Sequence, residues 1–85
     1  MIEQTLKDRG RRYGDYTVVA EHSQLLKQLF RASKQWDRLA NHQRESLDMI
    51  ANKLARIMNG DRFYADSWID IAGYATLVAQ ELQRD

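Results

Sequence analysis

Apolar residues recur at helical spacing along nearly the whole chain. Val18, His22, Leu25, Leu29 and Ala32 step by four, three, four and three positions, which puts them on one face of a helix over about residues 16–32. Leu47, Ile50, Leu54, Ile57 and Met58 mark a third helix over about 42–59. A fourth, about 66–83, has Trp68, Ile71, Ala72, Ala75, Val78, Ala79 and Leu82 as its main face. A short first helix over about 2–9 rests on Ile2 and Leu6. Between these elements, Gly10 and Gly14 bracket Arg11–Tyr13 as a turn, and Asp15 is placed to cap the second helix. Residues 33–40 form a connector in which Trp36 and Leu39 make one turn that lids the core. Asn41 is expected to cap the third helix and Gly60 to end it in a left-handed stop before a loop at 61–65. The pattern predicts a single all-α domain, a compact bundle of about four helices around an antiparallel hairpin of helices three and four.

Composition narrows this. Eighty-five residues with 44% hydrophobic content suffice for one small globular core. The absence of Cys removes disulfides and zinc–thiolate sites and fits a reducing compartment. The N-terminal ten residues are too polar for a signal peptide, and the longest weakly polar run, residues 68–79, is too short to span a bilayer. Net charge is +1, yet residues 1–44 carry nine Lys/Arg against five Asp/Glu, while residues 45–85 carry four against seven. The halves, at +4 and −3, suit contact with each other or between chains. They give no footing for nucleic-acid binding.

The fourth helix is apolar on more than one side. Opposite its main face lie Asp66, Asp70, Gly73 and Leu77, so the helix is expected to be central and Asp70 at least partly buried. A buried carboxylate must be paired, metal-bound or protonated. Three partners follow: a salt bridge to Lys53 or Arg56, a divalent ion shared with Glu45 and Asp48, or the backbone. Folding the hairpin near Arg62 sets Lys53 level with Ile71 and Arg56 level with Trp68. Asp48 falls six residues from Asp70, roughly 9 Å along the axis, which favours the salt bridge. Glu45, Asp48, Asn52 and Arg56 form a charged strip on the back of the third helix, either solvated or facing another element.

Other chemistry is sparse. Arg9, Arg11 and Arg12 alternate with Tyr13 and Tyr16, a cluster that can hold phosphate by guanidinium forks and stack a base, or can simply be a solvated turn. His22 reads as a core-edge histidine and His42 as exposed, and the two lack metal-ligand spacing. No Ser or Thr has triad-like context, and no Gly-rich phosphate loop is present.

Tyr13-Gly14-Asp15-Tyr16, the run Gln43–Ile50, Lys53-Leu54-Ala55-Arg56-Ile57 and the run Asp66–Ala75 resemble a small domain family of phages and prophages without a settled function. That family loosely resembles the MazG-like all-α nucleotide pyrophosphohydrolases, which pair Glu-x-x-Glu on one helix with Glu-x-x-Asp on the next to hold magnesium. Glu45-Ser46-Leu47-Asp48 fits the first element. Asp66 and Asp70 replace the second at i, i+4 spacing. The resemblance implies a bacterial cytoplasmic location, a homodimer, and a Mg–nucleotide site. Its metal ligands would be Glu45, Asp48, Asp66 and Asp70, and its nucleotide contacts Lys53, Arg56, Tyr74, Arg12 and Tyr13. The alternative reading is a non-enzymatic module that binds a host or phage protein through its helical faces.

Overall fold

The computed structural model describes residues 1–84. Four helices follow in order: α1 Ile2–Tyr13, α2 Tyr16–Arg31, α3 Asn41–Asn59 and α4 Ala65–Leu82, with a 3₁₀ turn at Trp36–Arg38 between α2 and α3. Asp15 caps α2 as expected, its side chain accepting from the Thr17 N–H at 3.0 Å. The antiparallel α3–α4 pair is the most extensive helix contact in the bundle.

Three boundary expectations are corrected. Arg11–Tyr13 is not a turn: α1 runs through Gly10, and the Gly14 N–H closes its end by donating to Gly10 O at 2.8 Å. A mid-helix glycine costs only about 1 kcal/mol, too little to stop a helix whose last turn is packed. The cap of α3 is Ala40 rather than Asn41, because the Gln43 side chain reaches back to accept from the Ala40 N–H at 2.8 Å. Gly60 is not left-handed either (φ −126°). It is required for space: a Cβ there would sit 2.3 Å from Arg12 O. The C-terminal ends of α1 and α3 thus meet backbone to backbone, and the Asp61 N–H donates to Arg12 O at 2.8 Å.

Helix α3 is the central element, with α1, α2 and α4 all packed on it. Its buried contacts are small. Ala51 and Ala55 are wholly inaccessible, and Val19, Ser23, Ser46 and Ser67 are the other buried helical residues. Small side chains let the backbones approach closely, but they bury little apolar area each. The large buried ring is Trp36, which lids one end as expected, 8% exposed and stacked on Phe30 at 6.1 Å.

The faces differ from expectation. In α2 the stripe turned inward is Val19, Ser23, Leu26 and Phe30, while Leu25 and Leu29 of the expected face stay exposed. In α4 the inward stripe is Ser67, Ile71, Tyr74 and Val78, while Trp68, Ala72, Ala75, Ala79 and Leu82 are exposed. Both helices have two apolar stripes, and α3 covers only one on each. Helix α4 therefore lies at the edge of the bundle.

The surface reflects this. The chain exposes 6451 Å², against about 5,200 Å² for a compact monomer of its mass. Its radius of gyration is 14.6 Å, against about 12 Å for a compact domain of this length. No helix among the described residues is long and apolar enough to cross a membrane.

Candidate functional site

The four acids proposed as metal ligands are dispersed. Asp48 accepts from both terminal nitrogens of Arg31, at 3.2 and 2.9 Å, joining α3 to α2. That hydrogen bonding holds the Arg31 guanidinium above its usual pKa. Asp66 accepts from the Tyr64 hydroxyl at 2.8 Å, and the carboxylate raises the phenol's pKa by favouring its protonated form. Asp70 pairs with Lys53 at 3.1 Å, and Glu45 is exposed. Among the described residues no three Asp, Glu or His side chains converge on a point that an ion can occupy. The donor set does not fit magnesium within one chain. The physical reason is the register anticipated above: α3 and α4 place Asp48 too far along the axis from Asp70.

The Lys53–Asp70 bridge is the partner the hairpin geometry favours, with Arg56 turned elsewhere. Asp70, expected to be at least partly buried, is the more exposed partner: the lysine side chain is 12% exposed and the aspartate 46%. Water therefore screens the carboxylate. Asp70→Asn is expected to cost about 1 kcal/mol, as for partly exposed pairs, rather than the penalty of a buried charge. Urea denaturation of the two proteins in EDTA checks this, and a variant more stable than the parent would refute the bridge.

Of the five proposed nucleotide contacts, the structure brings three together. Tyr13 ends α1, and its ring meets Tyr64 edge-on at 5.7 Å. Arg12 lies over the Tyr64 ring at 4.7 Å. Arg56, reaching from α3, lies 4.5 Å from the Tyr13 ring centroid, and Arg9 lies 5.3 Å from the same centroid. Lys53 is committed to Asp70, and Tyr74 lies half-buried on the α3-facing stripe of α4; neither lines the cavity beside Tyr13. That cavity, about 380 Å³, opens between α1, the start of α2 and α3. Arg11 is turned away onto Asp8, whose pKa falls through the hydrogen bond from Arg11 and then that from Gln4.

Two participants escaped the sequence reading. Tyr64 sits in a loop outside any periodic run, and Arg31 pairs across seventeen residues, so neither carries a local signal. His22 is half-buried as expected, its Nδ1 2.9 Å from the Asn59 amide nitrogen. His42 is half-buried rather than exposed.

Among known proteins, no curated protein and no solved structure matches the chain. Residues 2–82 match the family described as a domain of unknown function, DUF6378. With nearly the whole bundle, from the first turn of α1 to the last residue of α4, inside that match, the chain belongs to the DUF6378 family.

Proposed function

We propose that this domain is a non-enzymatic helical assembly module that pairs with a second copy of itself through one apolar face of α2, α3 and α4. The observation that carries this reading is that both open stripes lie on one side of α3. Leu29, Leu39 and Leu47 line one shallow groove, and Leu39, Leu47 and Ala75 line the next. Leu39 and Leu47 belong to both, so the grooves are continuous across α3. Leu25 continues the face along α2, and Trp68, Ala72 and Ala79 continue it along α4.

Area supports a second copy as the occupant. The surplus over a compact monomer is roughly 1,200 Å², and a standard interface removes about 800 Å² from each partner. A two-fold axis through the face would lay each stripe against its counterpart, the self-complementary arrangement of a symmetric dimer. On this reading the chain is an accessory domain of phage or prophage origin. It keeps the helical scaffold of the MazG-like resemblance without metal chemistry, since three of the four candidate acids are held by Arg31, Tyr64 and Lys53 and do not converge with Glu45.

Sedimentation equilibrium is expected to give a dimer at micromolar concentration, with a melting temperature that rises with concentration. Leu29→Glu combined with Ala79→Glu adds two charges to the face at exposed positions. It is expected to yield a helical monomer by sedimentation and far-UV circular dichroism. A parent protein that stays monomeric at high micromolar concentration, with a melting temperature independent of concentration, would overturn the proposal.

A further inference from the structure

The cavity at the other end of the bundle has an electrostatic imbalance that dimerisation through the apolar face leaves in place. Arg9 and Arg56 both lie within 5.3 Å of the centroid of one ring, Tyr13. Neither takes part in any ion pair or side-chain hydrogen bond among the described residues, and Arg56 is half-buried. Attraction to a ring face contributes about 0.5–1 kcal/mol per cation at exposed sites. Both arginines also line the same cavity, so its wall carries two guanidinium groups. The one acidic side chain on the cavity wall, Asp15, accepts from the Thr17 N–H as the cap of α2 and pairs with neither arginine among the described residues, so the lining carries two cations against one anion.

The rest of the wall has a different character. Leu6, Val19 and the rings of Tyr13 and Tyr16 make it mostly apolar. Tyr16 is 81% exposed at the first position of α2, so one of its ring faces is free to stack. The Asn52 side chain, on the α3 wall, makes no hydrogen bond among the described residues and presents both a donor and an acceptor. The volume, about 380 Å³, is within the size range of small-molecule sites, about 300–1,000 Å³.

We infer that this cavity is a binding site for a small organic phosphate bearing a flat ring, with Arg9 and Arg56 gripping the oxyanion and Tyr16 stacking on the ring. Guanidinium groups suit phosphate because they offer paired N–H donors in a plane. A ring on Tyr16 would bring its polar edge within the same cavity as the Asn52 amide. The site needs no metal and no acid cluster, so it stands apart from the dispersed carboxylates of α3 and α4.

Isothermal titration calorimetry with adenosine monophosphate, phenyl phosphate, inorganic phosphate and adenosine tests this on the intact chain. The two ring-bearing phosphates are expected to bind at least tenfold more tightly than inorganic phosphate or adenosine. Preference for adenosine monophosphate over phenyl phosphate would assign the ring to a nucleobase; equal binding would assign a plain aromatic phosphate. Arg56→Gln is expected to weaken either ligand at least tenfold without lowering helicity. Tyr16→Ser should reduce adenosine monophosphate binding to the level of inorganic phosphate. Absence of binding by both ring-bearing phosphates, or binding unchanged in Arg56→Gln, would overturn the inference. So would an Arg56→Gln protein that dissociates into monomers while the parent binds no phosphate, because an acidic side chain of a second copy would then be the occupant.

Discussion

Replacing Trp36 with alanine is expected to destabilise the domain by about 3–5 kcal/mol, the range for removing a buried tryptophan. Among the described residues the ring is the one large side chain that is almost fully buried, and it covers the end of the bundle where α2 meets α3. Phe30 stacks on it, Arg31 lies 4.8 Å from its centroid, and Arg44 lies at 5.9 Å. Arg44 also holds the turn from below, donating from Nε to Trp36 O at 3.0 Å and from a terminal nitrogen to Asp37 O at 2.8 Å. Losing the indole would open the adjoining groove and leave these groups in contact with water. Small domains have a total stability of about 5–15 kcal/mol, so the change removes a large share of it. Trp36→Phe, which keeps an aromatic ring against Phe30, should lose less than half as much. Urea midpoints for the two variants and the parent check this. A loss under about 1 kcal/mol for Trp36→Ala would mean that the lid contributes little.

Gly14→Ala is expected to cost about 2–5 kcal/mol, from two effects acting together. At φ 89° and ψ −176° the backbone occupies a region essentially restricted to glycine. A Cβ built there would lie 2.2 Å from Asn59 O and 2.6 Å from Asn59 C, against backbone that cannot move aside cheaply. The substitution would push the end of α1 off the end of α3 and break the hydrogen bond from the Asp61 N–H to Arg12 O. Gly10→Ala supplies the contrast. Nothing lies within 4 Å of a Cβ at that position. Removing a mid-helix glycine should stabilise α1 by up to about 1 kcal/mol. Thermal denaturation of both variants should therefore move in opposite directions. A Gly14→Ala protein that melts no lower than the parent would show that the α1–α3 contact does not constrain Gly14.

Much of the architecture is legible in the sequence. Helix positions follow from apolar periodicity and from local capping chemistry, so α2, α3 and α4 fall within a residue or two of where the spacing puts them. The hairpin register followed from the rise per residue, which set Lys53 beside Asp70. The same arithmetic told against a metal shared by Asp48 and Asp70. Where a boundary was misplaced, a longer-range contact outweighed a weak local preference. Gly10 did not break α1, and Gly60 was needed for its missing Cβ rather than its φ.

The choice of faces was a matter for the tertiary structure. Helices α2 and α4 each carry two apolar stripes, and periodicity ranks the more hydrophobic one first without knowing what will cover it. Close backbone approach to α3 selected the stripes containing Ser23 and Ser67, because small residues allow the helices to nest around Ala51 and Ala55. The richer stripes, with Leu29 and Trp68, were left open. The candidate site was hidden for a related reason. Arg9, Tyr13 and Tyr16 are near neighbours in sequence, but Asn52 and Arg56 join them only because α1 ends against α3. Periodicity and capping are set by neighbours along the chain and can be read there; which surfaces meet depends on how whole helices pack, and that is decided only when the chain is folded.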